Sequence, residues 1–169
     1  MYPKSLILAA AVVLLPGCDL LEKQELAIPT ADEAAAFYEQ HPGIDTVQVR
    51  GNVIEVRVRQ PADQLRRGGS LWAKVGPYIY AFSPSTRDVF SAFPGVAAVR
   101  VVTLAGRGES EVARVMLRRD ALSDIMWQRA HNLLGHALQS GTQQPRRIEE
   151  LVRWGEQHTE YEYQPEYVH

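Results

Sequence analysis

The stretch Thr46–Gln60, TVQVRGNVIEVRVRQ, decides the fold. Val47 and Val49, then Ile54, Val56 and Val58, recur at every second position on either side of Gly51-Asn52. A period of two belongs to strands with one buried face, and Gly-Asn supplies the backbone freedom of a tight hairpin turn. Arg50, Arg57 and Arg59 then line the wet face. Such a row is either a seat for an anionic partner or a solvated sheet face, and the solvated face is the simpler reading.

The same logic recurs downstream. In GVAAVRVVTLAGRGESEVARVMLRR, Val96, Val99, Val101 and Val102 lead to Gly106-Arg107-Gly108, and Val112, Val115 and Leu117 return, predicting a second hairpin. The GRGES segment opens no helix and lacks the Lys-Ser/Thr pair of a phosphate-binding loop, so its glycines serve the turn.

Between and around the hairpins the period changes to three and four. Thr30 with Glu33 forms a capping-box pattern for a short helix over Ala31–Gln40. Leu71, Val75, Tyr78, Phe82, Thr86, Val89 and Phe93 predict helix from Ser70 to Phe93. Pro77 and Pro84 interrupt it, and Pro84 behind Ser83 suits the first turn of a fresh helix, which places the break near Ser83. Asp120 as cap, with Leu122, Ile125, Met126, Leu133, Ala137 and Leu138 as the apolar stripe, predicts a helix over Ala121–Gln139. A last helix over Pro145–Gln157 precedes TEYEYQPEYVH, read as an extended, tyrosine-rich tail that either docks back on the domain, the favoured reading, or offers another protein an added strand.

After the lead-in helix the order is ββαββαα. The fold class expected is α+β, a two-layer sandwich of a four-strand antiparallel sheet with helices on one face. Two ββα units suggest an internal duplication, although no residue-level repeat accompanies it. Residues 30–169 are long enough for one domain with a sizeable core.

The chain ahead of this domain has a different character. Lys4, the apolar run Leu6–Leu15 and small Gly17 before Cys18 have the anatomy of a secretory signal peptide, and the run is shorter than a membrane span requires. Leu15-Pro16-Gly17-Cys18 resembles the lipobox of bacterial lipoproteins. The resemblance covers about the first twenty residues. It implies a signal peptide of residues 1–17, cleavage before Cys18, acylation of Cys18 with palmitate-type chains, and a tether of residues 18–29 holding the domain at a membrane. Asp19 directly after the cysteine resembles the inner-membrane retention signal of enteric bacteria, which favours that membrane over the outer one. The implied location is the cell envelope, facing the periplasm.

Charge and cysteine count narrow the chemistry. The chain has 18 basic and 20 acidic side chains; loss of Lys4 leaves 17 against 20, a net charge of −3. No basic footprint for nucleic acid exists in that balance. Cys18 is the single cysteine, so acylation leaves no thiol for catalysis, disulfide or zinc. No nucleophile, base and orienting group are spelled at recognisable spacing, and His131 and His136, five apart, do not share a helix face. A non-enzymatic domain without metal or cofactor is expected. Glu156, His158, Glu160 and Glu162 form the best metal-like grouping and define the alternative, a periplasmic ligand-binding, metal-binding or enzymatic domain. Trp127 with Arg129, Arg153 with Trp154, and Tyr161 with Tyr163 have the composition of an interface and form the candidate surface for an envelope protein partner; the simpler reading of the tryptophans is inward packing with arginine covering them.

Overall fold

The computed structural model describes residues 26–168. Residues 1–17, read above as a signal peptide, and Cys18 and Asp19 lie outside them. Among the described residues no helix is long and apolar enough to cross a membrane.

The chain is α+β. Its order is α1 (Ala31–Ala36), β1 (Ile44–Arg50), β2 (Val53–Gln60), α2 (Ala62–Ala81), α3 (Pro84–Ala92), β3 (Ala98–Ala105), β4 (Glu111–Arg118), a 3₁₀ turn (Arg119–Ala121), α4 (Asp124–Ser140), α5 (Pro145–His158) and β5 (Glu160–Tyr163). The expected four-strand antiparallel sheet is corrected in two respects. Five strands lie in the order β1-β2-β3-β4-β5, and β2 pairs with β3 in parallel. The extra strand comes from the tail, where Tyr161 and Tyr163 alternate with acids and pair opposite Val115 and Ala113. The parallel seam arises because α2 and α3 carry the chain back to the end of the sheet where β2 began, as a parallel pair requires. A duplicated ββα unit repeated by translation would set β3 parallel to β1. The observed seam inverts the second hairpin, so the two hairpins are not such copies.

Ile54, Val56, Val58, Val99, Val101, Val115 and Leu117 share one parity, are at most 2% exposed, and form one core with residues of all five helices. The opposite face carries the arginines.

Helix boundaries follow their caps. Thr30 and Glu33 make the capping box of α1, and the Tyr38 hydroxyl just beyond it is buried against Thr86 Oγ1 at 2.9 Å. Ser83 accepts from the Thr86 amide and Pro84 opens α3, so the chain breaks at the expected place. Val75, Tyr78, Phe82, Thr86 and Val89 are all buried. Helix α4 begins at Ser123 rather than Asp120, because Arg119–Ala121 first turns as a 3₁₀ segment. Its buried face therefore runs Trp127, Ala130, Leu134 and Ala137, while Ile125 and Leu138 of the expected stripe are 78% and 62% exposed.

The two ends of the sheet differ. At one, the turn end, lie Gly51-Asn52, the start of β3 and the end of β4. Here Arg119 Nε donates to Val96 O at 2.6 Å, and its two terminal nitrogens donate to Phe90 O, which α3 leaves open as it ends, and to Phe93 O, which also accepts the Val96 N–H. At the other, the strap end, β2 runs into Pro61 and a helical segment, Ala62–Gly68, that sequence periodicity did not predict. Gly69 separates it from the rest of α2 with φ +55° and ψ −150°, a conformation open to glycine alone.

Candidate functional site

The side chains expected to form a partner surface are distributed over three places. Trp127 is corrected from surface to core: it is 5% exposed and packs edge-on against Phe90 and beside His131, because α4 turns that face inward. Trp154 is 9% exposed, its ring stacked on His158 at 3.9 Å with the Arg129 guanidinium over it at 4.8 Å. Arg129, Arg153 and Trp154 do share a shallow depression of about 340 Å³ on the outer side of α4 and α5. Tyr161 and Tyr163 lie apart from it, on β5 at the sheet edge.

The acidic-histidine grouping does not converge. Tyr163 Oη donates to Glu156 Oε1 at 3.2 Å, and Lys74 stands 3.9 Å from the same oxygen. His158 turns back onto its own helix, with Nδ1 2.7 Å from Trp154 O. Glu160 and Glu162 pair opposite Met116 and Arg114, on the parity that faces away from the helices, and Glu162 lies 3.9 Å from the Arg114 guanidinium. No group of three His, Cys, Asp or Glu side chains among the described residues is placed to hold a metal ion.

What Glu156 does belong to is a polar cluster that fastens β5. The Tyr78 and Tyr163 hydroxyls lie 2.8 Å apart, and Lys74 sits over the Tyr163 ring at 5.3 Å. Burial pushes the Tyr78 hydroxyl up to about 12, and burial together with the Tyr78 hydrogen bond raises Tyr163 further. Both phenols stay protonated at neutral pH, so they act as hydrogen-bonding groups that hold the strand.

On the open face the arginines are paired with acids. Arg59 donates to Asp45 at 2.7 Å, to Gly108 O at 2.8 Å and to Glu109 at 3.1 Å. Arg57 lies 3.5 Å from Glu109, while Arg100 and Arg50 flank Glu55 at 3.3 and 3.7 Å. The β3–β4 turn thus brings Glu109 over the arginines of β2. The expected row exists, but acids interleave it: Glu55 is buried at 8% exposure between its two arginines, and Arg59 and Asp45 are half-buried.

Sequence reading missed the strap end, where the larger concavities lie. Segment Pro61–Gly69 runs with one cleft on each side. The first, about 550 Å³, is bounded by Ala62, Leu65, Ser70, Ala105 and Tyr167. The second, about 730 Å³, lies between the strap and the α4–α5 connection. Leu71, Trp72, Pro145 and buried Ile148 supply its apolar lining, and Thr142 stands exposed at its mouth. The signal available in sequence was Gly68-Gly69 followed directly by Leu71-Trp72, a backbone break beside large apolar side chains. Neither cleft brings together a nucleophile, a base and an orienting group. Set against known proteins, the chain matches no family model, no curated protein and no solved structure.

Proposed function

We propose that this chain is a lipid-anchored component of the bacterial cell envelope, acylated on Cys18, favoured at the inner membrane by Asp19, and facing the periplasm. Its domain works by holding another envelope protein rather than by catalysing a reaction. The observation that carries the binding half of this reading is the cleft between the strap and the α4–α5 connection. Its volume of about 730 Å³ and its lining of Leu71, Trp72, Pro145 and Ile148 suit an apolar segment of a partner. The lipobox residues Leu15–Cys18 carry the anchoring half.

The test is metabolic fatty-acid labelling combined with crosslinking in native membranes, for wild type, Cys18→Ser and Thr142→Arg. Thr142 is exposed, so the arginine obstructs the cleft mouth without disturbing the core. Wild type and Thr142→Arg should both take up label. Crosslinks to one envelope protein should fall at least tenfold in Thr142→Arg. Absence of label on wild type overturns the anchor; unchanged crosslinks in Thr142→Arg overturn the cleft as the binding site.

A further inference from the structure

The described chain does not begin free of the domain. Gly95 N–H donates to Ala27 O at 2.9 Å, and Pro29 is buried. A Cβ on Gly95 would lie 2.1 Å from Leu26 O and 2.7 Å from the Ile28 side chain, so the stretch is seated where only glycine leaves room. The last four residues of the expected 18–29 tether are therefore part of the folded body. Between Cys18 and Leu26 remain seven residues, and that leash reaches at most roughly 28 Å at about 3.5 Å per residue.

The seat lies at the turn end. Gly95 immediately precedes Val96, whose carbonyl Arg119 holds, and the Ala97 amide donates to Asn52 O at 2.8 Å. Eight-residue strands at about 3.3 Å per residue put the strap end roughly 26 Å away. Turning the strap end toward the bilayer would require the leash to be fully stretched along the whole sheet, which costs chain entropy. With the turn end down no such extension is required.

The surface at that end suits a lipid headgroup layer. Leu26 and Ile28 are 67% and 47% exposed, and Ile125, 78% exposed, sits on the first turn of α4, which leaves from the same end. Arg50 and Arg118, both more than half exposed, each have an acid beside them, Glu55 and Asp120. Apolar side chains among paired charges of both signs complement headgroups that carry phosphate and ammonium together.

We infer that the turn end, with Leu26, Ile28 and Ile125, rests on the surface of the bilayer that holds Cys18, and that the strap with its two clefts is thereby presented away from the membrane. This rests on the lipid-anchor reading above, and its test separates the two. The chain from Cys18 to His169 is coupled through its single thiol to a maleimide lipid in nanodiscs of zwitterionic lipid doped with a gadolinium-chelating lipid. Amide relaxation is then compared at Gly51 and Asn52 against Gly106 and Gly108. Enhancement should be at least fivefold larger at the turn end. In Gly95→Ala, which displaces Leu26 and Ile28 and lengthens the leash, the ratio should fall toward one. Equal enhancement at both ends in wild type, or more at the strap end, overturns the inference and leaves the turn end to a protein partner. Because the coupling supplies the anchor chemically, this outcome is independent of whether the native chain is acylated, which mass measurement of membrane-extracted protein decides.

Discussion

At the turn end of the sheet a single side chain, Arg119, donates to three carbonyls from the end of α3 and the start of β3, and its guanidinium lies 5.0 Å from the Phe90 ring. At the strap end, α2 starts behind Pro61 with no side-chain cap and breaks at Gly69, and the segment between them runs between two clefts. One end is closed by satisfying the backbone, and the other is left open by interrupting it. The contrast teaches that closure and concavity are segregated along the strands, since a cleft needs backbone that neighbouring side chains do not fill.

The largest effect should come from the closed end. Arg119→Ala removes a charged donor from three carbonyls at once and should cost about 1.5–3 kcal/mol in denaturant unfolding, the range for hydrogen bonds to a charged group. A loss below about 1 kcal/mol would mean that water replaces Arg119 readily, and the distinction between the ends would collapse. At the open end, Gly69→Ala meets no atom within 4 Å, so its cost is purely conformational. Forcing a side chain into that region should cost about 1–2 kcal/mol. Amide exchange should quicken over residues 62–68 while the central strands stay protected, because the strain can be relieved by releasing the strap.

The smallest effect is one of pH. His41, beside the start of β1 at the strap end, lies 3.0 Å from Ser85 Oγ between the Tyr38 and Tyr80 rings. Burial lowers its pKa, so the folded state holds it neutral where the unfolded chain, with an ordinary value near 6.5, takes up a proton. Its contribution is present above about pH 6.5 and is lost as pH falls toward the lowered folded value. His131, lowered by burial and then by Arg87, adds to the same slope. Melting temperature followed downward from pH 7 should fall less steeply in His41→Asn than in wild type; equal slopes would remove His41 from the account.

Much of this molecule was legible because local rules held. Alternation around Gly51-Asn52 gave the first hairpin, and Ser83-Pro84 gave the break between α2 and α3, since each depends on residues within a few positions. The parallel seam was not legible: nothing in either hairpin specifies which strand of the other it will meet, and packing of α2 across β2, β3 and β4 decides it. Helix α4 was displaced because Ser123 and Asp120 are both competent caps, and only the 3₁₀ turn at Arg119 selects between them. That displacement also explains Trp127, which a helix begun at Ala121 leaves open to either face. The tail's alternation was visible in Tyr161 and Tyr163, but its polar residues concealed a strand whose one buried anchor is the Tyr163 hydroxyl cluster.

The seam between β2 and β3 also sets an order of assembly. Its partners lie 45 positions apart at every rung, from Val53 with Ala98 to Gln60 with Ala105, whereas the first hairpin joins Arg50 to Val53 directly across its turn. Hairpins close in about 1–10 μs. A contact so distant in sequence must first overcome loop-closure entropy and therefore forms late. The folding nucleus is accordingly expected to be the event that docks one finished hairpin beside the other through α2. Changes in the Gly51-Asn52 turn, already formed when the hairpins dock, should slow refolding with little effect on unfolding, while substitutions at Val56 or Val101, whose contacts form in the docking step itself, should slow refolding and speed unfolding together.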